Sequence, residues 1–133
     1  MIDKINYQEI FSKKTQEKRP KRILVSNKEG YSYIPIEEIA WFEAEDKCIF
    51  IITIDGNKRL TDLKSLNDIS QILDFEEFFQ ISRSVVASIK SIKNVFKYFK
   101  SRLLVELSAG GQTKRETISA ARKLQFLNWL GHI

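Results

Sequence analysis

At 133 residues, 43% apolar and 29% charged, the chain suits one domain with its own core; it has no apolar run near the ~18–20 residues of a membrane helix and no secretory signal at its start. One cysteine, Cys48, and one histidine, His132, leave too few ligands for a disulfide framework, a zinc site or a histidine triad, so a cytoplasmic, cofactor-free domain without membrane insertion is expected. The formal charge of +5 is lopsided: residues 1–77 hold 12 basic and 15 acidic groups (−3), whereas residues 78–133 hold 10 and 2 (+8), a field that favours a polyanionic partner.

Residues 1–21 read as an arm or linker, with Ile2, Ile5, Ile10 and Phe11 on one side of a short helix. The cations Lys13, Lys14, Lys18 and Arg19 then lead into Pro20. Residues 22–133 form the domain proper. Ile23–Val25 and Tyr31–Ile34 flank a turn at Asn27–Gly30, and Ile36, Ile39 and Trp41 fit a single helical turn entering a strand. Ile49–Ile54 is almost wholly apolar and rich in β-branched residues, which predicts a central strand covered on both faces. Asp55-Gly56 signals a hairpin, with Lys58–Thr61 returning antiparallel.

Ser65 caps a predicted helix ending near Leu73, whose inward face is Leu66, Ile69, Ile72 and Leu73. Phe75, Phe78 and Phe79 supply core bulk. Strands follow at Phe79–Ile81, Val85–Ala87, Ile92–Phe99, Leu103–Leu107 and Gln112–Ile118. Ser119 reads as the cap of a last helix, with Ala120, Leu124, Leu127 and Leu130 facing inward and Gly131 stopping it. Many short strands with two or three short helices predict a mainly β fold.

Catalysis finds little support. The five glycines sit singly or in pairs at turns or a helix end, and Ser82, Ser84 and Ser88 lack a histidine base. Glu43, Glu45 and Asp46 read as solvent-facing acids at a strand end rather than magnesium ligands, and Cys48 as a small buried hydrophobe. Trp41 and Trp129 read as packing residues. Nucleic acid fits better: Arg83, Lys90, Lys93, Lys97, Lys100, Arg102, Lys114, Arg115, Arg122 and Lys123 populate loops and strands of the last third, suiting phosphates of a duplex. Phe96, Tyr98 and Phe99 alternate with cations, which keeps single-strand stacking open.

The runs YIPIEEIAWFEAEDKCIFI, TDLKSLNDISQIL and FFQISRSVVASIKSI, in this order, resemble the LytTR family of DNA-binding domains over about Arg22 to Leu130. The best markers are the Pro-x-Glu-Glu-Ile turn at 35–39 and the Arg83-Ser84 pair followed by Val86 and Ile89. The resemblance implies an elongated arrangement of small antiparallel sheets with short helices, in a cytoplasmic bacterial response-regulator or two-component setting. It also implies sequence-specific transcription regulation through loops that enter successive major grooves of double-stranded DNA and bend it. Paired direct repeats and a homodimer on DNA belong to the same implication.

Readout residues would come from Asp46-Lys47-Cys48, from Ala87-Ser88-Ile89-Lys90 and from Ser119-Ala120-Ala121-Arg122. The chain departs from the family where Ser88 replaces a common Asn, where Ala120 follows Ser119 instead of Arg, and where position 47 is Lys rather than Asn or His. A serine hydroxyl reads adenine less well than a bidentate amide. The DNA-binding set expected from the sequence is therefore Lys47, Arg83, Ser88, Lys90, Lys93, Lys100, Arg102, Lys114 and Arg122. Arg83 has an equally weighted reading as a structural clamp. The competing reading is a protein-interaction module of the same fold that has lost specific DNA binding, with an enzyme third.

Overall fold

The structure, a computed structural model, describes residues 19–131. The expected helix of Ile2, Ile5, Ile10 and Phe11, the cations Lys13, Lys14 and Lys18, and His132 lie outside the described residues. In chain order the elements are β1 (Arg22–Asn27), β2 (Gly30–Pro35), β3 (Ile39–Glu45), β4 (Cys48–Thr53), β5 (Lys58–Leu60), α1 (Leu66–Ile72), β6 (Phe78–Ser82), β7 (Val85–Ser88), β8 (Ile92–Lys97), β9 (Leu103–Ala109), β10 (Gln112–Ile118) and α2 (Lys123–Leu130). Single 3₁₀ turns cover Ile36–Glu38, Ile89–Ser91 and Ala120–Arg122.

All strand pairs are antiparallel. They form a β1-β2 hairpin, a five-stranded sheet in the order β5-β4-β3-β7-β6 and a three-stranded sheet in the order β10-β9-β8. The five-stranded sheet is the middle layer. On one face Trp41, Ile52, Phe79, Ile81 and Val85 pack against Leu103, Val105 and Leu107 of β9 and Phe126 of α2. On the other, Phe42, Ile49, Ile51, Phe78 and Val86 pack against Ile23, Val25 and Ile34 of the hairpin and Leu66 and Ile69 of α1. Successive strand residues point to opposite faces, so neighbours such as Trp41 and Phe42 serve different cores. That double burial explains why these strands read as unbroken apolar runs.

Local signals place most elements. Asn27 Oδ1 accepts from the amides of Glu29 and Gly30, both at 2.9 Å, and closes the first hairpin. Ser65 Oγ accepts from the Asp68 amide at 3.2 Å and starts α1 as expected. The β9–β10 turn is pressed against the β4–β5 turn: Gly110 has φ +57°, and a Cβ there would overlap the Asp55 carbonyl. Gln112 Nε2 donates to the Gly56 carbonyl at 3.1 Å across the same contact.

Several expectations are corrected. β4 is covered on both faces, but β3 is the middle strand of the five. Phe75 is 68% exposed and Ile72 is exposed as well, because Leu73 closes the α1 face and Asp74 Oδ1 then turns the chain by accepting from the Glu76 amide. Cys48 is exposed at the edge of a turn. Glu43 is buried, where its carboxylate accepts from Trp41 Nε1 at 2.8 Å and pairs with Lys58 at 3.4 Å. Ser119 makes no side-chain cap; the chain first winds a 3₁₀ turn, and α2 begins at Lys123. Three residues at ~120° rather than ~100° each rotate the helix face by about 60°. Phe126 is therefore fully buried while Leu124 is 66% exposed.

Candidate nucleic-acid interface

Two turns at one end of the five-stranded sheet carry Lys47, from one of the three expected readout segments, and Arg83. Glu45 pairs with Cys48, which leaves Asp46-Lys47 as a two-residue turn with φ of 52° and 67°. Ser82 pairs with Val85, which leaves Arg83-Ser84 as the next turn, and its shape is held by Ser82 Oγ accepting from the Ser84 amide at 3.2 Å. The Ala44 amide donates to the Ser84 carbonyl at 2.9 Å, so the β3–β4 and β6–β7 turns are tied to each other. Lys47 and Arg83 line one cleft of about 420 Å³, and Lys64, which sequence reasoning did not single out, lines it with them. The available signal was its place directly before the Ser65 cap.

Both residues of the Asp46-Lys47 turn are left-handed, a conformation that Asn-Gly adopts cheaply and other residues do not. Replacing Asp46→Asn together with Lys47→Gly is expected to raise stability by about 1–2 kcal/mol, read as a higher urea midpoint. An unchanged or lower midpoint overturns the assignment of backbone cost to this turn. The β8–β9 turn has the same character, with Lys100 and Ser101 at φ 59° and 62°.

Arg122 stands close to the first group. Its guanidinium lies 4.9 Å from the Phe79 ring centre and donates to the Ile81 carbonyl at 3.4 Å, two residues before Arg83. Lys100 and Arg102 occupy the β8–β9 turn, where Arg102 stacks 4.4 Å from the centre of Phe99 and 5.3 Å from that of Tyr98. The pairing of Leu103 with Ile118 sets that turn beside Ser119, at the start of the segment bearing Arg122.

The remaining residues lie elsewhere. Ser88 is 1% exposed, and its hydroxyl accepts from the Lys90 amide at 3.2 Å, capping the Ile89–Ser91 turn. Lys90 is exposed at the end of β7 opposite Arg83, roughly 20 Å away along the strand direction, and its Nζ donates to the Glu37 carbonyl at 3.1 Å. Lys93 is exposed on β8, where its charge adds to the group holding Glu106. Lys114 pairs with Glu116 at 3.8 Å.

Carboxylates divide the surface. A hydrogen bond from Asn94, another from Arg115, and the charges of Arg115 and Lys93 hold the Glu106 carboxyl below 4.5. Burial works to lower Lys58, but Glu43 and Glu45 outweigh it and hold its ammonium above 10.5. An acid beside each of these cations offsets part of its field. Among the described residues, no salt bridge to Lys47, Lys64, Arg83, Lys100, Arg102 or Arg122 is present. No group of His, Cys, Asp and Glu suited to a metal ion occurs among the described residues, and no described helix is long and apolar enough to cross a membrane.

Residues 29–131 match the family model of the LytTr DNA-binding domain. The fold is similar to the solved LytTr DNA-binding domain of a Bacillus cereus protein described as a methyl-accepting/DNA response regulator. The TM-score is 0.70 at 19% sequence identity, over 84% of this chain and 98% of that one. No curated protein sequence matches the chain.

Proposed function

Because the chain belongs to the LytTr DNA-binding domain family, we propose that it regulates transcription by binding duplex DNA sequence-specifically through the turns at the end of its middle sheet. One observation carries this reading: Lys47 and Arg83 stand on two turns tied by the Ala44–Ser84 hydrogen bond, with no carboxylate paired to either among the described residues. Arg83 offers a planar fork for the paired acceptors of guanine in the major groove, and Lys47 a second contact alongside it. Arg122, Lys100 and Arg102 serve phosphates on one flank and Lys90 on the other. Lys93 and Lys114 add weaker phosphate contacts, since nearby carboxylates offset their charge. Ser88 acts through Lys90, by capping the turn on which that cation stands.

Phosphate contacts release counterions, so with about five or six phosphates neutralised, log K against log salt should fall with a slope near −5. Fluorescence anisotropy across salt concentration, on duplexes selected from a random pool, tests this directly. A slope near zero sinks the proposal. Residues 1–21 are assigned to a tether and 22–133 to the binding domain of a bacterial, cytoplasmic regulator of response-regulator type. Two copies would occupy paired direct repeats.

A second reading has its own observation. The outward face of the β1–β2 hairpin exposes Leu24, Tyr31 and Tyr33, a surface suited to protein rather than DNA. If the chain is only an interaction module, duplex DNA gives no saturable binding at moderate salt while substitutions on this face abolish partner capture.

A further inference from the structure

The cleft between the two tied turns and the segment leading into α1 gathers cations from three separate parts of the chain. Lys47 comes from the β3–β4 turn, Lys64 from the loop before α1 and Arg83 from the β6–β7 turn. These cations differ from Lys58, Lys114 and Arg115, each of which is neutralised by a glutamate. Like charges gathered in one concavity repel one another, a cost that a bound anion removes.

Neutral donors share the rest of the wall with Ala44, Cys48, Ile49 and Leu66. Gln80 lines the cleft with a carboxamide that carries two N–H donors. Ser65 Oγ accepts from the Asp68 amide and so keeps its own O–H to donate, and Asn67 adds a carboxamide. Asp46, beside Lys47, is the adjoining acid in sequence, but it is not among the residues that line the cleft. Three flexible or forked cations with hydrogen-bond donors between them match a tetrahedral oxyanion better than a planar carboxylate.

We infer that this cleft is a phosphate-binding subsite in which Lys64 is the third cation. The phosphate has two sources of the same chemistry: the DNA backbone, held by Lys64 and Lys47 beside the base that Arg83 reads, or the phosphate group of a small molecule, held by all three cations. Only the first source rests on the DNA-binding reading above. In the second, the ligand occupies Lys47 and Arg83 and competes with DNA.

The test uses the full chain and its Lys64→Ala and Lys64→Arg variants. With a DNA phosphate as the source, Lys64→Ala weakens duplex binding about five- to tenfold at 0.1 M salt and reduces the magnitude of the salt slope by about 0.9. Lys64→Arg restores both. With a small phosphate as the source, inorganic pyrophosphate shifts the amide resonances of Asn67, Gln80 and Arg83 saturably, less so in Lys64→Ala, and displaces labelled duplex. Saturation by pyrophosphate in a chain that binds no duplex supports the subsite while removing the DNA reading. An unchanged salt slope in Lys64→Ala, together with no saturable shift from pyrophosphate, overturns the inference. A circular dichroism spectrum matching the wild type guards each variant against misfolding.

Discussion

Phe126→Ala should lower the stability of the domain by about 3–5 kcal/mol, the usual range for deleting a fully buried aromatic ring. The ring is wholly buried between layers, 5.5 Å from the centre of Phe79 in an edge-on contact and 5.8 Å from that of Trp129. Its removal empties the seam through which α2 is held to the middle sheet, so both the packing and the aromatic contacts are lost. Leu124→Ala, two positions earlier on an exposed face, should stay within about 0.5 kcal/mol of the wild type. Urea denaturation of both variants checks the pair. Equal losses would mean that the helix sits in another rotation about its axis.

Arg83→Ala should reduce affinity for the selected duplex roughly 10- to 100-fold while changing binding to unrelated duplexes far less, because a bidentate arginine–guanine contact discriminates by about 1–3 kcal/mol. Arg83→Lys should not recover the preference, since an ammonium cannot present two parallel donors. The side chain is exposed, so the stability read from urea denaturation should stay within about 0.5 kcal/mol of the wild type. Competition binding against a mismatched duplex separates the outcomes. An equal loss on every sequence would make Arg83 a phosphate contact, and a collapse of stability would make it the structural clamp that its position also allows.

The strands, hairpins and α1 were legible in the sequence because their signals are local. Asp55-Gly56, Asn27–Gly30 and Ser65 each act within a few residues, and the unbroken apolar runs report a sheet covered on both sides. The face of α2 was legible only in part: Leu127 and Leu130 pack against the core as expected, whereas Leu124 is exposed and Phe126 is the buried residue. The helix's rotation depends on the 3₁₀ turn at Ala120–Arg122, and the energies of 3₁₀ and α winding differ too little over three residues for composition to decide. Glu43 and Cys48 were misread for a related reason. Burial of the Glu43 carboxylate depends on Trp41 of its own strand and on Lys58 of β5, two strands away across the sheet, while the exposure of Cys48 depends on where the turn falls.

The candidate site was half legible. Resemblance and charge singled out Lys47 and Arg83, but their adjacency comes from β3 pairing with β7, a contact between residues more than 40 positions apart. Lys64 joins them from the loop before α1, marked in the sequence only by its place directly before the Ser65 cap. Ser88 illustrates the converse: position in a family pattern suggested a surface contact, and the fold instead spends its hydroxyl on a backbone amide.

The close meeting of Gly110 with the Asp55 carbonyl has a practical consequence for anyone modifying this protein. That junction has no spare room, so a fluorophore site, an affinity tag or a lengthened loop inserted at either hairpin would wedge two layers apart. The bend at Asn27–Gly30, closed by its own asparagine and facing water, is the place to attach such cargo.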